Sequence, residues 1–340
     1  MVRLLALVGL PVVALAALRL LDASEPVVFV VAIVGLGPVA WLIGRATEEA
    51  GKHSGPVVGG FLNATFGNAP ELFLAFFALE EGLFVAVRGS LTGSVPSNLL
   101  LMLGLTLLVA RGGEPTARRS VVLALVLAAA ATVGLLVAEI GHVVEDTESA
   151  LAAWEVPVCV SLLVLYVVLT TVDMRSRRDE AQEAESASWS LRRTLVLLAL
   201  ATAVAGLLVE GLTASLVSFS DAVGLSLFVL SVTALALVSD TAEHSAAVFV
   251  SARGRLALGM EVVLRTVAQI VAFLLPVIAL LSWLRSEPLP LDPRGVELAV
   301  MAGSVALAAL LLGRGRPTRS RGGVLVAGYV AGVAAFVAFG

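Results

Sequence analysis

Long apolar stretches alternate with short polar segments along almost the whole chain. Each apolar stretch spans about 17–28 residues, the length that an α-helix needs to cross a bilayer. The stretches predict an all-α polytopic membrane protein with about eleven transmembrane helices. The predicted spans are 3–18, 27–44, 56–79, 84–110, 120–141, 153–172, 194–217, 225–250, 256–283, 296–312 and 324–339.

Basic residues divide unevenly between the two ends of these spans. Of the 22 Lys and Arg residues, 17 fall on the side of the amino terminus and three on the opposite side. The remaining two, Arg88 and Arg265, lie inside predicted spans, and Arg88 is expected to reach the interface with its long side chain. The asymmetry predicts a cytoplasmic amino terminus and a carboxyl terminus outside. The short loops favour a prokaryotic plasma membrane.

The longest polar connection, residues 173–193, divides the chain in half: five spans precede it after the first span, and five follow. We interpret residues 1–22 as a leading transmembrane helix, 26–172 as a first five-helix repeat and 194–340 as a second. The connection is rich in acidic and basic residues, which is typical of a solvated cytoplasmic linker. An odd number of spans per repeat makes the second copy cross the membrane in the inverted direction, the plan of many secondary transporters.

The third predicted span is interrupted by the sequence Gly67-Asn68-Ala69-Pro70-Glu71. A carboxylate within a bilayer-length segment costs roughly 2.5–3.5 kcal/mol on insertion-based scales, so it is expected to have a function. Pro70 removes a backbone donor, which frees carbonyl oxygens that can bind a cation. Asn68 precedes Glu71 by three residues, so both side chains lie on one helix face. The alternative is that these polar groups join the helix to a neighbour.

A second carboxylate motif follows in the eighth predicted span. A constant offset of 172 positions pairs Asn68 with Asp240 and Glu71 with Glu243, which indicates an internal duplication. Asn68, Glu71, Asp240 and Glu243 are therefore the predicted cation and proton ligands. Two motifs of this kind in one chain favour ion binding over a role in helix packing.

The span after each motif adds further polar candidates. Ser94, Ser97 and Asn98 follow Glu71 and supply neutral oxygen ligands, although small residues in membrane helices also serve close packing. In the second half, Gln269 lies at the corresponding place. Arg265 precedes it, and it either pairs with a carboxylate such as Asp240 or Glu261 or occupies a cation position itself.

Composition supports a membrane protein and excludes several other classes. The chain is 59% hydrophobic and 14% charged, with a mean hydropathy of +1.01, values outside the range of soluble domains. The lone Cys159 permits no internal disulfide. The arginines are scattered at span ends, so no nucleic-acid partner is expected. The chain has no paired-histidine metal motif, so a membrane hydrolase acting through Glu243 and His244 is disfavoured and no enzyme activity is predicted.

Several segments together resemble the signature regions of calcium/proton exchangers, a branch of the calcium/cation antiporter superfamily. They are residues 46–49, 61–72 and 93–100 in the first half and 240–248 in the second. The resemblance covers nearly the whole chain. It implies an eleven-helix fold with one leading helix and two inverted five-helix repeats in the lipid bilayer.

The same resemblance implies exchange of cytosolic Ca²⁺ for protons by alternating access, with Glu71 and Glu243 binding both ions. Calcium and protons would be the transported partners, and no cofactor is implied. Ca²⁺ takes six to eight hard oxygen ligands in flexible geometry, which the predicted carboxylates, amides and hydroxyls can supply. The sequence makes no prediction of the oligomeric state.

The second half departs from the family pattern, which leaves alternatives open. Asp240 stands where the family has Asn, and Arg265 stands in place of small residues. One alternative is a proton-coupled exchanger of another cation, such as Na⁺, K⁺ or Mn²⁺. Another is a sensor or scaffold of the same fold that transports nothing. His244 could relay protons or be a buried, hydrogen-bonded side chain. Glu210 could line an access path for ions.

Overall fold

The computed structural model describes residues 2–112, 118–144, 148–176, 187–285, 288–313 and 318–340. These residues form α-helices, short π-helical segments and turns, and contain no β-strand. The α-helices are α1 Val2–Leu20, α2 Glu25–Leu62, α3 Ala69–Glu80, α4 Phe84–Pro96, α5 Leu103–Val109, α6 Arg118–Val144, α7 Glu148–Ser176, α8 Leu191–Val223, α9 Leu227–Leu230, α10 Ala236–Ser239, α11 Thr241–Ala252, α12 Leu256–Gln269, α13 Leu275–Ser282, α14 Gly295–Gly313 and α15 Arg319–Phe339. The π-helical segments are Asn63–Gly67, Ser97–Met102, Ser231–Leu235 and Ile270–Leu274.

Several helices have the length and composition of membrane spans. Among the described residues eight helical stretches qualify, and a pair bent by 55°, Leu227–Val238 with Glu243–Ala252, would make a ninth. The predicted all-helical, membrane-crossing architecture is confirmed at this level. The count of eleven spans is not confirmed and stays a prediction.

The prediction of a connection between the second and third spans is wrong. Helix α2 runs without interruption through the polar residues 45–55, which were expected to form a connection. Arg45 pairs with Glu48 and Glu49 at 3.0 and 3.4 Å, and Lys52 pairs with both carboxylates at 3.2 Å. Ion pairs at three- and four-residue spacing stabilise a helix, so this polar stretch remains helical.

Interruptions and helix bounds recur at the offset of 172 positions. Adding 172 to the bounds of α3 gives those of α11, and adding it to α4 gives residues 256–268, within one residue of α12. The π-helical segment after α4 maps in the same way onto the segment after α12, and α5 maps onto α13. From α3 to α5 and from α11 to α13 the two halves of the sequence therefore break their helices at equivalent places, whereas the segments Asn63–Gly67 and Ser231–Leu235 are not equivalent at this offset.

The chain forms two compact units, each built from both halves of the sequence. The first unit contains residues Met1–Leu83, Thr170–Leu227 and Val238–Ala242. In it α8 packs along α2, with Phe29 and Phe219 stacked at a centroid distance of 4.1 Å.

The second unit contains Phe84–Leu169, Phe228–Leu237 and Glu243–Gly340. Its packing includes an edge-to-face contact between Phe228 and Phe336 at 5.8 Å.

The central part of the predicted linker, residues 177–186, lies outside the described residues. Its carboxyl-terminal end is fixed to α2 within the first unit. The buried carboxylate of Glu49 accepts hydrogen bonds from the backbone N–H groups of Ser188 and Trp189 at 2.6 and 2.9 Å. Trp189 also stacks under the guanidinium of Arg193, and its carbonyl lies 2.8 Å from His53 Nε2.

Candidate ion-binding site

The first carboxylate motif lies where the helix after α2 is interrupted. The π-helical segment Asn63–Gly67 ends there, and Asn68 adopts a non-helical conformation with φ −98° and ψ 22°. Pro70, in the first turn of α3, has no N–H to continue the helical hydrogen bonds, so the backbone breaks at this point. Asn68 and Glu71 are both buried in the first unit, with exposed fractions of 5% and 6%.

The second motif repeats this arrangement with different chemistry. The helix is interrupted by the π-helical segment Ser231–Leu235, and α11 begins just after Asp240, which is 1% exposed. Glu243 is the third residue of α11, as Glu71 is the third residue of α3, but it is partly exposed. Carboxylates in the first turn of a helix are favoured by the positive end of the helix dipole. Both glutamates thus occupy the first turn of a helix, where a negative charge is stabilised.

The span α4 ends beside three buried polar side chains of the second unit. The Ser94 hydroxyl donates to the carbonyl oxygen of Ser90 at 2.9 Å, and Asn98 Nδ2 donates to the carbonyl oxygen of Ser94 at 3.0 Å. Ser97 is fully buried, and its hydroxyl has no hydrogen-bond partner among the described residues. A buried hydroxyl without a partner calls for an explanation such as an ion or water. Ser97 is therefore the serine whose oxygen is available to a ligand.

His244 lies against Asn98 within the second unit. The imidazole Nε2 is 3.2 Å from the Asn98 Oδ1 atom, and the His244 side chain is 6% exposed. An amide oxygen can only accept a hydrogen bond, so in this contact His244 Nε2 carries the proton and donates it to Asn98 Oδ1. This contact favours the interpretation of His244 as a buried, hydrogen-bonded side chain, and it uses one lone pair of the Asn98 oxygen.

The remaining predicted residues differ in exposure. Gln269 is buried, with 6% exposed, at the end of α12. Arg265 is exposed on the same helix, one turn from Glu261. Glu261 is partly exposed, and Glu210 is exposed on α8.

The predicted site residues thus fall into groups within the two units. Asn68, Glu71 and Asp240 belong to the first unit, and the other predicted ligands belong to the second. In the described part of the chain no three His, Cys, Asp or Glu side chains form a cluster that could hold a metal ion. Oxygen ligands from amides, hydroxyls and backbone are the groups that could complete a calcium shell.

The sequence did not predict a group of charged residues elsewhere in the second unit. Arg88, which was expected to reach the interface, is 8% exposed and pairs with Asp292 and Glu297. A signal was available in the sequence, because Arg88 lies within one predicted span and Glu297 at the start of another. Their separation of 209 positions in the chain concealed that they meet.

An all-helical chain with membrane-length helices, two of them interrupted beside carboxylates, is a polytopic membrane protein of the kind that secondary transporters form. The sequence profile of the sodium/calcium exchanger protein family matches residues 24–174 and 193–338. The chain belongs to this family. The resemblance to calcium/proton exchangers that the motifs indicated is therefore confirmed.

Individual relatives agree with this assignment. A Ca²⁺/H⁺ antiporter of Aphanothece halophytica is 31% identical over 333 residues, which cover 90% of this chain and 89% of the relative. The Ca²⁺/H⁺ antiporter ChaA of Bacillus subtilis (strain 168) is 31% identical over 318 residues, covering 89% and 90%. The solved structure of native YfkE matches with a TM-score of 0.84 and 27% identity, over 99% of this chain and 100% of that one.

Proposed function

We propose that this protein exchanges Ca²⁺ for H⁺ across the membrane by alternating access, with Glu71 and Glu243 each binding calcium and protons in competition. The observation that carries the proposal is the equivalent placement of the two carboxylates. Each is the third residue of a 12-residue helix that begins directly after an interrupted span. The antiporter names of the relatives support the choice of ions.

The chemistry follows from competition for the same oxygen atoms. A carboxylate that holds Ca²⁺ must be deprotonated, so calcium binding releases protons and proton binding releases calcium. Ca²⁺ and H⁺ are the cargo, and the exchange needs no cofactor. Ser97, whose buried hydroxyl has no partner among the side chains and backbone that the structure describes, is the strongest neutral ligand candidate. The full proposed ligand set is Glu71, Glu243, Asn68, Asp240, Ser94, Ser97, Asn98 and Gln269.

We propose eleven spans for this transporter, comprising a leading helix over 1–22 and inverted repeats over 26–172 and 194–340. The recurrence of the helix bounds of α3, α4 and α5 at the offset of 172 positions supports the duplication. The arginine distribution supports a cytoplasmic amino terminus, a cytoplasmic linker over 173–193 and a prokaryotic plasma membrane.

A second candidate is exchange of protons for another cation. The observation that favours it is the exposed Arg265 on α12, together with the carboxylate of Asp240 in place of an amide. An additional positive charge near a cation path disfavours divalent ions more than monovalent ones. His244, Glu261 and Glu210 would then act as modulators of selectivity.

The test is proton flux in liposomes that contain the purified protein and carry a pH gradient. Ca²⁺, Na⁺, K⁺, Mn²⁺ and Mg²⁺ are added separately. Proton release on Ca²⁺ addition, abolished by Glu71→Gln, is the expected result. Asp221→Asn is the matched control, because it neutralises an exposed carboxylate at the end of α8.

The other outcomes decide between the alternatives. Proton release on addition of Na⁺, K⁺ or Mn²⁺, without release on addition of Ca²⁺, would show that the protein exchanges that cation and not calcium. No response to any of the five cations would contradict the transport function and favour a sensor or scaffold.

A further inference from the structure

A buried ionic cluster in the second unit lies apart from the proposed ion ligands. Arg88 on α4 pairs with Asp292, and its Nε atom lies 3.5 Å from Oε2 of Glu297. The Thr92 hydroxyl, one turn further along α4, donates to the same Oε2 atom at 3.3 Å. These contacts join α4 to the first turn of α14.

Glu297 is the unusual member of this cluster. Its side chain is fully buried, and its Oε1 atom has no hydrogen-bond partner among the described residues. Arg88 carries one positive charge and already pairs with Asp292, whose side chain is 44% exposed. Arg88 therefore faces two carboxylates, and Glu297 is the more deeply buried of the two. A buried carboxylate that lacks full compensation binds a proton rather than remaining ionised.

The other ionisable groups near α14 compensate Glu297 only in part. Arg294 attracts the Glu297 carboxylate through its charge and its backbone, but its guanidinium stacks over the Phe228 ring at 4.1 Å. Of the helices packed against α14, α6 carries Glu139 near its carboxyl-terminal end and α15 carries Tyr329, and neither side chain is positively charged. The arginines of these two helices lie in their amino-terminal turns: Arg118, Arg119, Arg319 and Arg321. Arg321 donates to the Leu311 carbonyl oxygen, at the opposite end of α14 from Glu297.

The loop that carries Asp292 is held in place, so the cluster is a built feature of the fold. Glu155 on α7 is 1% exposed and accepts a hydrogen bond from the Leu291 N–H at 2.7 Å. The Leu289 N–H donates to the Ser282 hydroxyl at 2.8 Å. Both leucines are buried, with at most 1% exposed.

We propose that Glu297 is a proton-binding site distinct from Glu71 and Glu243, reached through the partly exposed Asp292 from the side of the membrane that the arginine distribution predicts to be non-cytoplasmic. With the proton bound, Arg88 and Asp292 form a neutral pair. Without it, Arg88 is shared between two carboxylates and ties α4 to α14. Because α4 leads to Ser97, proton occupancy of Glu297 modulates the exchange rate, and this last step rests on the proposed exchange function.

The first experiment measures protonation directly and does not depend on transport. Infrared difference spectra between acidic and alkaline pH report the C=O stretch of protonated carboxylic acids. They are recorded on the Glu71→Gln/Glu243→Gln double variant in lipid, in which both transport carboxylates are silent. Adding Glu297→Gln should remove one band, and adding Glu139→Gln, a matched carboxylate change beside α14, should leave that band in place. Unchanged spectra after Glu297→Gln overturn the proposal.

A conservative variant guards against a folding defect in Glu297→Gln. Glu297→Asp retains a carboxyl group in a shifted position, so the band should persist at a changed frequency, and an unchanged frequency would count against the assignment.

The second experiment measures exchange rate against pH on the non-cytoplasmic side alone. Glu297→Gln should remove one titration step from this profile, and an unaltered profile contradicts the modulation. Absence of exchange in the unmodified protein would refute the proposed function but leave the infrared result to decide on Glu297.

Discussion

The spans α4 and α12 share their helix bounds at the offset of 172 positions, but they present different surfaces. On α4, Gly89 and Gly93 face the π-helical segment Ser231–Leu235 at close range. A Cβ atom at Gly93 would come within 2.6 Å of the Val232 Cα atom. The equivalent positions on α12 are Glu261 and Arg265, and Arg265 is exposed. The same interrupted backbone thus supports a tightly packed face in the first half and a charged face in the second.

The difference shows that the position at which a helix is interrupted does not determine which side chains its surface presents. Close approach of two backbones requires glycine or another small residue, so the α4 face is committed to packing. An arginine facing hydrocarbon would cost at least about 2.5 kcal/mol, so the exposed α12 face is expected to border water or polar groups. The second half therefore has room for selectivity determinants that the packed α4 face does not have.

The largest effect on stability is expected when a bulky side chain is placed on the packed α4 face, compared with the same side chain on the exposed α12 face. Gly93→Val places its Cβ against the Val232 backbone, which cannot shift independently of its helix, so we expect a loss of about 3 kcal/mol or more. The matched change Arg265→Val should alter stability by only about 0.5 kcal/mol, because the position is exposed. Thermal unfolding in detergent, followed by size-exclusion chromatography, measures both. Equal losses would show that the two faces do not differ in packing.

A smaller effect is expected from the two serines at the end of α4. Ser97→Ala removes a hydroxyl that has no hydrogen-bond partner in the part of the chain that the structure describes, so apparent Ca²⁺ affinity should fall about tenfold, or about 1.4 kcal/mol. Ser94→Ala removes a hydroxyl that donates within its own helix and should change affinity by less than about threefold. Calcium titration of proton release gives both values. A larger loss of Ca²⁺ affinity in Ser94→Ala than in Ser97→Ala would identify Ser94, and not Ser97, as the calcium ligand.

The smallest effect concerns the charge on the α12 face. A positive charge about 10 Å from a divalent ion in water raises its energy by about 0.8 kcal/mol. Arg265→Gln should therefore increase apparent Ca²⁺ affinity about fourfold at low ionic strength, with a smaller gain in high salt. Glu261→Gln should act in the opposite direction. An affinity that Arg265→Gln leaves unchanged at every salt concentration would show that the α12 face lies away from the ion path.

Local sequence chemistry was sufficient to predict the helix interruption beside Asn68 and Glu71, but not the π-helical segments that interrupt the other helices. Glycine, proline and a carboxylate within one apolar segment leave few alternatives. The continuity of α2 through residues 45–55 was not predicted, because a polar stretch between apolar runs has the same appearance in a loop and in an ion-paired helix. The environment of Arg88 was also missed, since its partners lie about 200 positions away and only the tertiary fold brings them together.

The attachment of the linker end to α2 has a consequence for the integrity of the chain. Glu49 holds the N–H groups of Ser188 and Trp189, and α8 then packs along α2 within the same unit. Covalent continuity through residues 177–186 is thus not what keeps α8 beside α2. A proteolytic cut in that stretch would leave two fragments that remain associated, and insertions of different length there would be tolerated without displacing α8.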